Sequence, residues 1–397
     1  MDVAFWQRCT QEHVDESQHV ADCRHHCDVS ADLTHKESMA LIATPNSIVH
    51  NQHVHCNQAT STTIRRTHRA MLRILITGAT GKVGQTFLSR FMADERFDGF
   101  QIRALIHNRR LPEDSRIEQV QGDIAERDVV SRLMDGVTHV LHLATCKETP
   151  ERVMDVTVKG MFWLLEECRS SSCFQQFILV GGDAGMGHFV YPHPIPVTES
   201  QRHSAYPGCY ALSKVLEEVM LEQYYIQYDL NGCCLRAPWI MEKDDFKYTL
   251  SFGEDVFGGP RWRDIVGNEK SDEYQRQQTI PVLCNDRGEP ILRNFVHVED
   301  LVCALMCAID HPKVRQQTLN ICMDEPVDYR AVADYLGKTR GLPSVDVRTQ
   351  FHSTWLDNAK ARFLLGWRPQ YDLKRLIDSS WDYVRPADDP RIVWYPG

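Results

Sequence analysis

The sequence predicts an α/β protein in which a doubly wound parallel sheet is joined to a smaller α/β C-terminal domain. Three observations predict it: short apolar runs recur with helix-period stretches between them, a glycine-rich turn separates the first run from the first helix, and an irregular aromatic segment precedes three further helix-period stretches. With 397 residues, 43% of them apolar, the chain is long enough for a large domain or two joined ones.

Residues 1–70 stand apart. They hold nine of the eighteen histidines together with Cys9, Cys23, Cys27 and Cys56, and no sustained apolar periodicity, so the expectation is a disordered leader or a misassigned start, with Met71 directly before the first strand. The acids of this stretch argue against a transit peptide, and it lacks the apolar region of a signal peptide. Cys23, His25, His26 and Cys27 could meet a soft metal, but their spacing matches no closed zinc site and no metal is expected. The net charge of −10 gives no basic footprint for nucleic acid. No run of about 18 apolar residues exists to cross a bilayer, so no membrane partner is expected. Fourteen scattered cysteines read as free thiols of a reducing compartment, the cytoplasm.

Residues 73–77 read as a buried strand and 85–93 as an amphipathic helix, with Thr77-Gly78-Ala79-Thr80-Gly81-Lys82-Val83-Gly84 between them. This is the context of a Rossmann-type dinucleotide fingerprint. Gly78 takes the tight turn, Gly81 lets the backbone approach a pyrophosphate, Gly84 allows helix to pack on strand, and the helix N-terminus supplies amide donors and a positive dipole. A glycine-rich turn without a ligand is the alternative. Further strands are expected at 101–106, 117–120, 138–143, 177–180 and 232–235, giving a dinucleotide-binding domain over 71–238 to which later segments can return. The second strand ends in His107-Asn108-Arg109-Arg110. It offers no carboxylate for a ribose hydroxyl pair, whereas His107, Arg109 and Arg110 suit a 2′-phosphate, so NAD(P) is expected with a lean to NADP. The two arginines read otherwise as exposed loop charges. After the third strand, in Gly122-Asp123-Ile124, Asp123 is placed to bond an adenine amino group or to cap a helix starting near Ala125.

Tyr210 and Lys214 share a helix face at i and i+4, and no other tyrosine in the chain is followed by lysine at this spacing. The ammonium beside the phenol favours its ionised form, making it a proton-transfer group. A solvated helix face is the alternative for the pair alone.

Taken together, these motifs resemble the extended short-chain dehydrogenase/reductase family, of the NAD-dependent epimerase/dehydratase type that acts on nucleotide sugars, over about residues 71–385. Thr77 through Gly84 is similar to the family's glycine turn, and His142-Leu143-Ala144 to the segment beside the nicotinamide ribose, which brings Leu143 and Ala144, with Thr80, Lys82, Val83 and Ile124, into the implied cofactor site. Asp155-Val156-Thr157-Val158-Lys159-Gly160 carries Thr157 where the family has Asn. Tyr210 and Lys214 fall on the catalytic pair. Leu235-Arg236-Ala237-Pro238, Asn294 through Asp300, Leu319-Asn320-Ile321 and Leu365-Gly366-Trp367-Arg368-Pro369 resemble later landmarks. One departure stands at the end of the fifth strand: Leu179-Val180-Gly181-Gly182-Asp183 places Gly182 where the family has Ser or Thr. Asp183 is the leading substitute if it stays protonated, a turn-stabilising Asp being the alternative, with His188 and Ser204 more distant candidates.

Residues 239–385 are expected to form mainly the substrate domain, with helices at 299–308, 328–336 and 357–365 and a tail at 386–397. The aromatic and arginine-rich stretch 252–263 suits a sugar or acidic substrate, or a packed loop. His297, Trp355, Trp367 and Trp381 read as structural. The expected partner is a small, sugar-like molecule, and a homodimer is compatible with the family. The implied function is hydride transfer with proton transfer through Tyr210, in an oxidoreductase, epimerase or dehydratase. The competing class, which Gly182 favours, is a non-catalytic dinucleotide-binding sensor on the same fold.

Overall fold

The computed structural model describes residues 72–254 and 257–389, all within one compact unit. The expectations for the leader, for Met71, for the histidines and cysteines before it and for residues 390–397 lie outside the described residues.

Seven parallel strands form the main sheet. In chain order they are β1 (Leu72–Thr77), β2 (Phe100–Ile106), β3 (Ile117–Gln121), β4 (His139–His142), β5 (Gln176–Gly182), β6 (Gly232–Ala237) and, from much later in the chain, β11 (Gln317–Asn320). Their spatial order is β11-β6-β5-β4-β1-β2-β3, every pairing parallel. The chain therefore winds outward in both directions from β1 and β4, and the crevice between their carboxyl ends is the switch point where ligands of such sheets bind. Thr77 and His142 are paired in register at that edge.

The period of two along β1 decides which helices cover which face. Ile74 and Ile76 join the core formed with helix α1 (Lys82–Met92), through Phe87, Leu88 and Phe91, and with helix α8 (Val298–Ala308), through Leu301, Val302 and Leu305. Leu75 points to the other face, against α2 (Arg127–Leu133), α3 (Gly160–Ser170) and α4 (Cys209–Tyr228), which bury Val130, Leu164 and Leu221. Each such fully buried aliphatic side chain contributes about 1.5 to 3 kcal/mol. The helical stretch leading into α3 begins at Pro150–Val153 and passes through a π-helical segment, Met154–Lys159.

The remaining chain builds a second core from short pieces. Apart from α10 (Ala359–Leu365), which packs on the main-sheet core through Ala361 and Leu365, these are β7 (Trp239–Met241), α5 (Asp245–Thr249), α6 (Trp262–Val266), α7 (Asn268–Arg276), β8 (Ile280–Cys284), β9 (Leu292–Arg293), β10 (Phe295–His297), β12 (Val327–Asp328), α9 (Tyr329–Arg340), β13 (Ser344–Arg348) and α11 (Leu373–Asp382). Phe246, Phe252, Trp262, Phe295, Tyr329 and Leu376 fill its centre. The stretch 252–263 is thus largely packing: Trp262 is fully buried and its indole donates to the Thr249 carbonyl, while Arg261 and Arg263 pair with Glu254, Asp264 and Asp272. Trp367 is likewise structural, donating to the Asp300 carbonyl while the Asp300 carboxylate accepts from the Gln370 and Tyr371 amides.

Candidate active site

The glycine turn occupies the mouth of the β1/β4 crevice. Gly78 has φ +69°, and a Cβ there would lie 2.8 Å from the Ala144 nitrogen; one at Gly84 would lie 2.5 Å from the Gly78 carbonyl oxygen. Both positions are closed to a side chain by neighbouring backbone. Gly81 is less confined: its Cβ would meet one atom within 4 Å, the Gly78 carbonyl oxygen at a tight 3.3 Å, and it stands at the N-cap of α1, where first-turn amides have no intrahelical acceptor. These residues fit a dinucleotide pyrophosphate. Thr80 and Val83 flank the turn, while the Lys82 ammonium donates to the Ile240 carbonyl and pairs with Asp245. Lys82 therefore ties the turn to β7 and to the start of α5, and stands over the Phe257 ring at 4.3 Å.

At the ends of β2 and β3, His107 and Arg110 are exposed and Arg109 is half-buried. Asp123 does not cap a helix at Ala125. Helix α2 begins at Arg127, and Asp123 instead accepts from the Ala125 amide at 2.9 Å and from Arg152 at 2.6 Å, with His107 Nε2 4.0 Å away. Burial raises its pKa, but Arg152 and the amide outweigh that and hold it below the usual carboxylate range. Ile124 is buried in the core. Leu143 and Ala144 follow β4, and their amides both donate to the Thr77 hydroxyl, at 3.1 and 3.2 Å. Thr157, within the π-helical segment, accepts from the Cys146 amide at 2.9 Å and so fixes the loop after β4.

Helix α4 carries Tyr210 in its first turn and Lys214 one turn later. Gly208, at φ 158°, leads into the helix, and the Glu148 carboxylate accepts from the Tyr210 amide at 3.2 Å. Tyr210 is half-buried, with Lys147 Nζ 4.0 Å from its ring centroid and Lys214 Nζ 5.8 Å from it. Lys214 is buried at 5% exposure. Burial lowers its pKa, but the charges of Glu217 and Tyr210 outweigh this and raise it. Below Lys214 lies Glu217, fully buried, its Oε2 2.7 Å from Lys214 Nζ and its Oε1 3.7 Å from His142 Nε2. Burial pushes Glu217 up to about 7 against the pull of Lys214, and burial together with Lys214 pushes His142 down to about 3.

The end of β5 runs alongside Lys214: a Cβ on Gly182 would lie 3.7 Å from Lys214 Cγ and Cδ, an ordinary contact. Asp183 follows, with Oδ2 3.0 Å from His188 Nδ1, and His188 stacks on Tyr206 at 5.0 Å between centroids. The structure therefore brings Gly182, Asp183 and His188 to the strand end beside Lys214 of α4. Ser204 is turned elsewhere, donating to the Met186 carbonyl. A second buried pair braces α4 from β6: Arg236 donates twice to Glu218, at 3.1 and 2.6 Å, and His203 Nε2 lies 3.0 Å from the same carboxylate.

Sequence reasoning missed Glu217, Glu218, Lys147 and Glu148. The i+3 spacing from Lys214 to Glu217 carried a signal, but Glu217 reads as a surface residue until α4 is known to be covered on that side. Among the described residues no group of three or more His, Cys, Asp or Glu could hold a metal, and no helix is long and apolar enough to cross a membrane.

The site thus combines a parallel doubly wound sheet, a glycine turn at its switch point and a helix carrying Tyr210 and Lys214 beside it. Residues 74–241 match the model of the NAD dependent epimerase/dehydratase family. The chain is 26% identical to a UDP-glucose 4-epimerase of Mycolicibacterium smegmatis over 337 residues, 79% of this chain and 99% of that protein. In three dimensions it is similar to a short-chain dehydrogenase/reductase superfamily protein from Agrobacterium tumefaciens with bound NAD, at TM-score 0.65 and 23% identity over 78% of this chain and 95% of that one. It is also similar to UDP-glucuronic acid 4-epimerase from Bacillus cereus in complex with NAD, at TM-score 0.61 and 17% identity over 79% and 98%. These structural likenesses establish the fold.

Proposed function

We propose that this protein is an NAD(P)-dependent enzyme of the epimerase/dehydratase type that acts on a sugar or nucleotide sugar, with Tyr210 as its proton-transfer group. The observation that carries the reading is the placement of Tyr210 and Lys214 on α4 beside the end of β5, at the same carboxyl edge of the sheet as the Gly81 turn. Several bacterial relatives named UDP-glucose 4-epimerase support the substrate class.

When bound, the dinucleotide supplies hydride chemistry. The chain's own residues do the rest. The α1 amides and the bare Gly81 backbone receive the pyrophosphate. His107, Arg109 and Arg110 receive a 2′-phosphate, which is the reason for the lean to NADP. Leu143 and Ala144 border the ring end of the site, and Lys214 presents an ammonium to the nearby ribose. Tyr210 takes or returns a proton at its phenol oxygen. Asp183, oriented by His188, replaces the hydroxyl that Gly182 lacks in holding the reacting oxygen. The ten cysteines among the described residues are free thiols, in keeping with a cytoplasmic enzyme. Leu212, Val219 and Ile226, seven residues apart along α4, are exposed apolar side chains that suit a homodimer contact.

Tyr210→Phe tests the reading: cofactor binding stays near that of the wild type and turnover of any sugar processed by the wild type falls at least about a hundredfold. Turnover close to that of the wild type in this variant removes Tyr210 from the mechanism. The non-catalytic sensor keeps one specific observation in its favour, Gly182, and cofactor binding without turnover across a panel of sugars and carbonyl compounds would establish it.

A further inference from the structure

Glu217 lies three residues after Lys214 and shares its helix face. Its side chain is 0% exposed and that of Lys214 is 6% exposed, with 2.7 Å between Glu217 Oε2 and the ammonium nitrogen. A carboxylate taken fully out of water is costly unless partnered, and the partners here form a line leading to the glycine turn. The Thr77 hydroxyl already accepts two amides, from Leu143 and Ala144. Its own hydrogen is therefore directed at His142 Nδ1, 2.8 Å away. Nδ1 then accepts and Nε2 carries the ring proton, 3.7 Å from Glu217 Oε1 and beyond hydrogen-bond reach of it. His142, held neutral by burial and by Lys214, adds a dipole and no charge. Of the remaining groups acting on Glu217, Glu218 is its chain neighbour and Lys147 reaches it from the loop after β4, while Tyr210 stands above Lys214.

We propose that Glu217 is a positioning residue for Lys214, anchoring the ammonium from the core side of α4 and exchanging its own proton in step with the charge held in the cofactor site. This rests on the reading that a nicotinamide dinucleotide binds with its ring end at Tyr210 and Lys214. With Lys214 as its ion-pair partner and Lys147 acting from farther off, Glu217 is balanced between its ionised form, paired with the ammonium, and its neutral form, favoured by burial. Any further positive charge nearby shifts the balance toward the carboxylate. An oxidised nicotinamide is cationic and a reduced one is neutral, so the two forms couple differently to the Glu217 proton.

Two measurements test this, neither relying on turnover. In the first, NAD⁺ and NADH are titrated separately from about pH 6 to about pH 8. The ratio of their affinities is expected to move about tenfold toward NAD⁺ as pH rises, the size of a charge-charge coupling across a partly shielded site. In Glu217→Gln the ratio stays flat, and in Glu217→Asp, which keeps the charge on a shorter stem, the dependence persists with a displaced midpoint. In the second, infrared spectra of the ligand-free wild type show a protonated carboxyl band that titrates near neutral pH and is missing from Glu217→Gln. A wild type without that band, or a Glu217→Gln ratio that follows pH as the wild type does, overturns the role. Failure of both dinucleotides to bind defeats the cofactor reading instead, and the infrared titration then still decides whether Glu217 holds the proton.

Discussion

At the residue scale, the chemistry of the site turns on two positions where one atom more or less decides the outcome. Gly182 has extended backbone angles and room for a Cβ against the Lys214 stem, so Gly182→Ser is expected to fold and to set a hydroxyl beside Lys214. Asp183→Asn is expected to lower turnover about tenfold, the worth of one hydrogen bond to a reacting oxygen, and adding Gly182→Ser should recover most of it. If the double variant is no better than Asp183→Asn alone, Asp183 serves the turn rather than the substrate. The second position is the end of β2. Arg109→Ala/Arg110→Ala should erase much of a preference for NADP(H), each charge-assisted contact contributing about 1.5 to 3 kcal/mol before screening by solvent and salt. Comparative titration checks it, and a wild type that prefers NAD(H) would mean that these arginines only line the loop.

At the scale of elements, α4 is held by two buried carboxylates with opposite habits. Burial raises Glu218, but His203 and Arg236 outweigh it and hold it at about 2, below the ordinary 4.5. Because the folded-state pKa is depressed, this carboxylate contributes stability above about pH 4.5 that is lost as pH falls through about 2, on the order of 3 kcal/mol. Glu218→Gln leaves Arg236 buried without its countercharge and should cost about 3 to 5 kcal/mol at neutral pH. Denaturant unfolding of both proteins at neutral and acid pH measures this, and a gap that does not narrow in acid would contradict the assignment. The elements of the main sheet were legible because each strand is an apolar run bounded by turn residues. The expected strand 73–77 is observed as Leu72–Thr77, and 101–106 as Phe100–Ile106. β4, His139–His142, is shorter than the expected 138–143; past its carboxyl end the Leu143 and Ala144 amides donate to the Thr77 hydroxyl, that of Leu143 also to the Thr77 carbonyl. α1 starts three residues before the expected 85, since a glycine N-cap and Lys82 carry no apolar period. Residues 239–295 resisted reading because α5 and α6 are five residues each and β9 is two, too short for any periodicity, with partners such as β12 fixed only by distant chain. For the site, the glycine turn and Tyr210 with Lys214 were readable as spacing. Glu217 was not, because its role depends on which face of α4 is covered.

At the scale of the whole molecule, the sheet's winding makes the site. Strand order reverses between β1 and β4, and the three groups of residues that matter, the glycine turn, the loop after β4 and the start of α4, are carried to that single edge by segments far apart in sequence. The return of β11 to the sheet and of α8 to its core ties the C-terminal part to the same frame, and Lys82 bonds the glycine turn directly to β7 and the start of α5. A ligand seated at the turn is therefore in reach of both parts. The central claim is that this crevice receives a nicotinamide dinucleotide on the Gly81 backbone. Gly81→Val is the sharpest probe, because its Cβ would meet one protein atom within 4 Å, the Gly78 carbonyl oxygen at a tight 3.3 Å, whereas a branched side chain there would stand where backbone must approach a pyrophosphate. Calorimetric titration of NAD⁺ and NADP⁺ into the wild type and Gly81→Val, with circular dichroism to confirm that both are folded, decides it. Binding by the wild type that weakens at least about tenfold in the folded variant is the predicted result; equal affinity in the two, or no binding by the wild type, would contradict the account.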